Sequence, residues 1–477
     1  MTILADFVKA YDVRGLVPEQ LDTTVAQALG AALAEVIALA DGAPAVVIGH
    51  DMRPSSPELV EAMAMGVTAR GVDAILIGLA STDGLYYASG ALGLPGAMFT
   101  ASHNPAQYNG IKFCRSGARP VGQDTGLAQI RDLAQAHLDA GTTTFDGVEP
   151  GTVSHRDVLT DYAGFLRGLV DLSGSRPLRV SIDAGNGMGG LTVPAVLGTD
   201  AGLTELPLTI DPMYFELDGT FPNHEANPLD PKNLVDLQER VRSHGADIGI
   251  AFDGDADRCF VVDECGDPVS PSAITAMIAR REVERAVAAG RFAGDVAIVH
   301  NAITSAAVPE IISESGATAV RTRVGHSFVK SVMSEHDAVF GGEHSAHYYF
   351  RDFWFADTGM LAAMHVLAAL GEGDAPLSEV MAPYERYVAS GEINSTVDDA
   401  AAVTERVRVA YAAREDVTFD HLDGMTVTHE GGDEPMWWFN LRASNTEPLL
   451  RLNVEAADGD TMARVRDDVL VMIRETR

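Results

Sequence analysis

Residues 247–258 read Asp-Ile-Gly-Ile-Ala-Phe-Asp-Gly-Asp-Ala-Asp-Arg, an apolar run that ends in a loop with a carboxylate at every second position. Such a run predicts a buried strand. Asp253, Asp255 and Asp257 then share one short loop, so three hard oxygen donors can converge on one point, which suits Mg²⁺ or Ca²⁺. A solvated acidic turn is the plainer alternative, weakened by the fully apolar strand before it. An EF-hand fits in one respect: counting from Asp253, Glu264 falls at position twelve. It fails in two, because Arg258 occupies position six, where glycine is required, and the flanks read as strands rather than helices.

Outward from this loop the same grammar repeats. Short apolar runs alternate with amphipathic stretches, the pattern of βαβ units. Strands are expected at 45–49, 72–78 and 96–100, with a helix over 57–70. A second unit opens with a strand at 178–183, a glycine-rich turn at 185–190 and a helix, then a helix at 231–244 before the strand at 247–252. A third has strands near 296–300 and 319–323, a helix over 327–335, a strand at 338–340 and a loop at 341–347. Three times a strand ends in a loop dense with reactive side chains. Ligands of open α/β sheets bind at such carboxyl ends. The last hundred residues differ: 374–392 reads as a linker plus helix, and 439–454 alternates apolar with polar, which suggests a smaller α+β domain.

The other loops carry matching chemistry. Thr100-Ala101-Ser102-His103-Asn104-Pro105 places a serine where a strand turns into a loop, a position for a nucleophile or a phosphate carrier. An ordinary Asn-Pro turn explains the same residues, and the G-x-S-x-G elbow of serine hydrolases is missing. Gly342-Glu343-His344-Ser345-Ala346-His347 offers donors and acceptors for sugar hydroxyls, with Val324-Gly325-His326 as its nearest companion. Arg442-Ala443-Ser444-Asn445-Thr446-Glu447-Pro448 has the makings of a phosphate cradle, or of a hairpin turn with a surface arginine.

Composition narrows the function classes. The chain has 477 residues, room for three or four domains, with 46% hydrophobic and 21% charged residues. No run approaches the ~20 apolar residues of a membrane span, and the first residues lack a secretory pattern, so a cytoplasmic enzyme is expected. Cys114, Cys259 and Cys265 are too few and too irregular for a disulfide framework or a four-cysteine zinc site, and read as reduced thiols. The net charge of −34 repels nucleic acid and anionic membranes, so neither is an expected partner. It also repels a sugar phosphate, which therefore needs a local basic lining. With only four lysines in the chain, Lys112, just beyond the serine loop, stands out.

Taken together and in this order, from Tyr11-Asp12-Val13-Arg14-Gly15 to Pro448, the motifs resemble the α-D-phosphohexomutase superfamily, in its phosphomannomutase/phosphoglucomutase branch. The resemblance implies three similar mixed-sheet α/β domains plus a smaller C-terminal α+β domain around a central cleft. Their bounds are expected at 1–153 (phosphoserine loop), 154–265 (metal loop), 266–373 (sugar loop) and 374–477 (phosphate loop). It makes Ser102 the phosphoryl carrier, with Asp253, Asp255, Asp257 and a phosphoserine oxygen holding one Mg²⁺. Glu343 and Ser345 would bind ring hydroxyls, and Arg442, Ser444, Asn445 and Thr446 the phosphate that is not reacting. Arg14, Lys112, Arg258, His326 and His347 match cleft-lining positions, with proton transfer placed near Lys112, His103 or His347. Hexose 1,6-bisphosphate is the implied activator, a hexose phosphate the substrate, and a monomer or homodimer the assembly. Ala346 departs from the glycine many members have there, which puts loop geometry in question. His344, where phosphoglucosamine mutases show glutamine, favours mannose or glucose phosphates. The rivals are a phosphoglucomutase or dual-specificity enzyme, a metal-dependent sugar phosphatase and a non-catalytic sugar-phosphate binder.

Overall fold

The computed structural model describes residues 3–8, 11–141, 147–443 and 449–474. The chain divides into two compact units: 1–269 with 333–340 and 345–380, and 270–332 with 341–344 and 381–477. Among the described residues there are four sheets, one of seven strands and three of five.

In the first unit the seven-stranded sheet has at its centre Ala45–His50, parallel to Asp73–Leu79 on one side and to Gly96–Phe99 on the other. Tyr108–Arg115 returns antiparallel beside Gly96–Phe99, which makes the sheet mixed. Strand alternation sends Val46 and Ile48 into one apolar cluster and Ala45 and Val47 into another, so both faces are buried. Residues of the helices Thr23–Leu33, Ser56–Thr68 and Leu127–Ala140 share the first cluster, and residues of Thr82–Leu92 the second. The second sheet runs Pro268–Val269, Cys259–Val262, Ile248–Phe252, Leu178–Asp183, Leu208–Met213. The aspartate loop joins two antiparallel neighbours of that sheet, a strand–loop–strand arrangement that excludes an EF-hand. This unit also holds the antiparallel pair Tyr348–Phe350 and Ala356–Asp357.

In the second unit Ala297–Asn301 and Thr318–Thr322 pair in parallel. The last sheet is wholly antiparallel, in the order Val388–Thr396, Leu449–Ala456, Trp437–Ala443, Met425–His429, Thr418–Asp420. Trp437, Phe439 and Leu441 pack against the helices Ala400–Tyr411 and Gly459–Arg474, which puts Trp438, Asn440 and Arg442 on the opposite face.

Most expected elements fall within a residue or two of their place, and Leu178–Asp183 matches at both ends. Three differ. The strand expected at 338–340 is Phe340–Gly342, with Ala338 and Val339 buried just before it. The stretch 374–392 holds the short helix Leu377–Met381, a turn of 3-10 helix and then the start of a strand, because Val388–Thr396 finds a partner in the distant Leu449–Ala456. The helix expected at 231–244 begins as 3-10 over Pro231–Leu234, where Asp230 caps Lys232 N.

Candidate active site

Ser102 lies in the loop between Gly96–Phe99 and Tyr108–Arg115, 3% exposed and at φ 48°. An L-residue in the left-handed region is strained, and such strain persists only where the surroundings fix it. Its N–H donates to Thr100 Oγ1 at 2.9 Å, and its hydroxyl donates to Asp253 Oδ2 at 2.7 Å. The glycines at two neighbouring loops allow this approach. A Cβ at Gly254 would stand 2.4 Å from the Ser102 carbonyl, and one at Gly187, in the glycine-rich turn, 2.6 Å from that of Gly254.

Asp253, Asp255 and Asp257 are buried and bring carboxylate oxygens within 4.8 Å of one another. Arg258 Nε donates to Asp253 Oδ2 at 2.9 Å. Lys112 Nζ donates to Asp255 Oδ2 at 2.7 Å and to Asp257 Oδ2 at 2.5 Å, and Thr82 Oγ1 to Asp255 Oδ2 at 2.5 Å. Burial pushes the Asp253 carboxyl up to about 7, against the pull of Arg258. Burial also opposes ionisation of Asp255, but Lys112 and Thr82 outweigh it and hold that carboxyl well below the ordinary range. Lys112 is the mirror case: desolvation lowers it, and the charges of Asp255 and Asp257 win and raise it.

These partners leave two atoms over. Asp255 Oδ1 and Asp257 Oδ1 are buried with no hydrogen-bond donor among the described residues. An orphaned buried acceptor costs about 1–3 kcal/mol, more when charged. Two unused carboxylate oxygens, a third carboxylate and a hydroxyl oxygen converge as hard donors, and they fit a small divalent cation such as Mg²⁺.

Around the cluster, His103 Nδ1 accepts from Arg258 Nη2 at 2.5 Å. Burial, then the charges of Arg258 and Arg14, depress its pKa far below the ordinary value, so the ring is neutral. Arg14 Nη1 donates to the Ala101 carbonyl at 3.0 Å and to Asn104 Oδ1. His347 Nε2 lies 3.6 Å from Asp257 Oδ1, and its Nδ1 3.1 Å from Ser345 Oγ. The first unit thus gathers Ser102, His103, Lys112, Arg258, His347, Arg14, Ser345 and the three aspartates. Ala346 has φ 66°, the conformation glycine tolerates without strain, which is the geometric content of the departure seen in the sequence.

The second unit holds the remaining candidates. Glu343 accepts from Asn301 Nδ2 and from Gly325 N, each at 3.0 Å, which ties it to the loop that leads into the helix His326–Glu335. The His344 ring is half-buried, its Nδ1 3.0 Å from Ser272 Oγ. Arg442 Nη1 and Nη2 stand 3.5 Å from Asp423 and 3.6 Å from Glu392, and its Nε is buried without an acceptor among the described residues. Ser444, Asn445 and Thr446 lie outside the described residues.

Sequence reasoning missed Thr82, which caps nothing but reaches Asp255, and the buried pair Asp51–Arg53 beneath the serine loop. The available signal for the pair was a run of charged residues at the carboxyl end of a buried strand.

Known proteins share this architecture throughout. Models of the phosphoglucomutase/phosphomannomutase family match in four parts: α/β/α domain I over 6–139, domain II over 160–266, domain III over 270–387 and the C-terminal domain over 392–471. A protein of Xanthomonas campestris pv. campestris named phosphohexose mutases is 39% identical over 461 residues, 96% of each chain. A phosphomannomutase of Escherichia coli is 37% identical over 484 residues, 99% of this chain and all of the relative. The crystal structure of a phosphoglucomutase/phosphomannomutase family protein from Burkholderia thailandensis superposes with a TM-score of 0.84 at 30% identity, covering 99% of this chain and 98% of that one. Four α/β domains on this plan make the protein an isomerase that acts as a hexose phosphate mutase, an intramolecular phosphotransferase. The chain belongs to the phosphoglucomutase/phosphomannomutase family.

Proposed function

We propose that the protein interconverts mannose 6-phosphate and mannose 1-phosphate by way of a phosphoserine at Ser102. The observation that carries the chemistry is the Ser102 hydroxyl bonded to Asp253 beside two carboxylate oxygens without donors. The sugar assignment rests on the relatives named phosphomannomutase. The plural name of the Xanthomonas relative favours a second reading, dual action on mannose and glucose phosphates.

Asp253, Asp255 and Asp257, with a phosphoserine oxygen, would hold Mg²⁺. When bound, that ion supplies positive charge against the phosphoryl group. The need is quantitative: a carboxylate and a phosphate oxygen about 4 Å apart repel by about 4 kcal/mol at an effective dielectric near 20. The chain's own cations work in the same direction. Arg258 Nη2 stands 3.4 Å from Ser102 Oγ and Lys112 Nζ holds Asp255 and Asp257, and positioning with electrostatic stabilisation is what phosphoryl transfer chiefly requires.

In the first transfer the Oγ–P bond of phospho-Ser102 breaks as a sugar hydroxyl oxygen bonds to phosphorus. The hydroxyl proton leaves to a nitrogen base, for which His103 and His347 are the candidates; Lys112, held as an ammonium by Asp255 and Asp257, is the candidate proton donor. The hexose 1,6-bisphosphate so formed turns end for end and returns its other phosphoryl group to Ser102. Glu343, Ser345 and His326 would bind the sugar. Arg442, Ser444, Asn445 and Thr446 would hold the distal phosphate, and Arg14 would bind substrate beside the serine loop. The functions divide among 1–153, 154–265, 266–373 and 374–477.

The test offers the purified protein, with Mg²⁺ and a trace of hexose 1,6-bisphosphate, mannose, glucose and glucosamine 1-phosphates separately. Mannose is expected to give the highest kcat/KM. Release of inorganic phosphate without isomerisation would instead identify a phosphatase.

A further inference from the structure

We infer that Arg53 is the positioning residue that holds Ser102 in its strained, reactive geometry. This rests on the proposed role of Ser102. The Arg53 side chain is wholly inaccessible to solvent, and each of its five N–H donors has an acceptor. Nε donates to Asp51 Oδ2 at 3.2 Å. Nη1 donates to the carbonyls of Pro105 at 2.9 Å and Tyr108 at 2.8 Å. Nη2 donates to those of Ser102 at 2.9 Å and Asn104 at 2.7 Å. Three carbonyls of the serine loop and that of Tyr108, the first residue of the next strand, therefore converge on one guanidinium.

The shape of that convergence matters. A loop that carries Ser102 at φ 48° has no regular hydrogen-bond ladder over 100–107, so its carbonyls need donors from elsewhere. Arg53 supplies them from a rigid planar fork. Its two Nη2 bonds fix the peptide after the serine and the second peptide beyond it, and so set the direction of the Oγ towards Asp253.

Arg53 is itself fixed from both sides. Asp51 accepts from the Arg53 N–H and side chain and from Ser56 Oγ. Above it, the Phe221 ring lies 5.2 Å from the guanidinium carbon, and Gly219 comes so near that a Cβ there would stand 2.7 Å from Arg53 Cα. Segments of the first and second sheets' domains thus clamp one arginine, which clamps the serine loop. Lysine has three donors and no fork, so it cannot reproduce the arrangement.

The experiment compares wild type, Arg53→Lys and Arg53→Met in the full chain. It measures kcat and KM for hexose phosphate interconversion, together with hydrogen exchange of peptides over 101–109 and over the strand Ala45–His50. The expected result is a fall in kcat of about 100-fold or more with KM within about threefold, since small misplacement of a reacting group costs that much. Exchange over 101–109 is expected to rise at least tenfold in both variants, while Ala45–His50 keeps its protection. If Arg53→Met fails to fold, Arg53→Lys gives the same readings. A kcat within twofold of wild type in Arg53→Lys, or protection lost equally in loop and strand, overturns the inference. Should wild type itself show no interconversion while the loop alone loosens in the variants, the mutase reading fails and the positioning role stands.

Discussion

Replacing Lys112 by methionine tests whether the aspartate cluster is built for a cation. Lys112 Nζ lies 2.7 Å from Asp255 and 2.5 Å from Asp257, and both carboxylates are buried. At an effective dielectric near 20, two unit charges 2.7 Å apart attract by about 6 kcal/mol. Desolvation of the ammonium offsets part of that, and removing one partner of a buried pair costs about 3–5 kcal/mol. Lys112→Met is therefore expected to lose about that much stability in EDTA, read as urea dependence of hydrogen exchange over Ile248–Phe252. Mg²⁺ at about 100 times its Kd stabilises wild type by about 2.7 kcal/mol. In Lys112→Met the increment must be larger, because the cation then replaces a charge the carboxylates lack. An identical Mg²⁺ increment in the two proteins would refute the reasoning, as would a loss below about 1 kcal/mol in EDTA.

Three further outcomes are expected. Ser102→Ala should reduce turnover by about 10³-fold or more and abolish label uptake from a labelled hexose bisphosphate, with the fold unchanged by circular dichroism; near-normal turnover would sink the phosphoserine role. Ala346→Gly removes a Cβ from a residue at φ 66°, so thermal unfolding should show a gain of about 1 kcal/mol rather than a loss. His300 is buried with its Nδ1 on Thr304 Oγ1, and burial, then Arg321, lowers its pKa to about 4. The neutral ring is the folded form, so its contribution is present above an unfolded pKa near 6.5 and is lost as pH falls from there towards 4, on the order of 3 kcal/mol. The difference in urea midpoint between wild type and His300→Gln should therefore shrink or reverse between pH 7.5 and 5; a constant difference would refute it.

The sequence by itself determined the local grammar. Apolar runs such as 248–252 and 178–183 can bury themselves only as strands, and the loops that follow carry their chemistry wherever the strands lead. Order and spacing of the aspartates marked a candidate cation site, because a loop with three carboxylates after an apolar strand can converge hard oxygen donors. Only the tertiary structure decided what those residues meet. Lys112 is 143 positions from Asp255 and Ser102 is 151 from Asp253, and no periodicity reports pairs so distant. Two oxygens without donors, a serine held at positive φ and an arginine buried beneath it arise from packing between loops. The strand at 388–396 looked like linker for the same reason: it is defined by its partner, and the partner lies some fifty residues on.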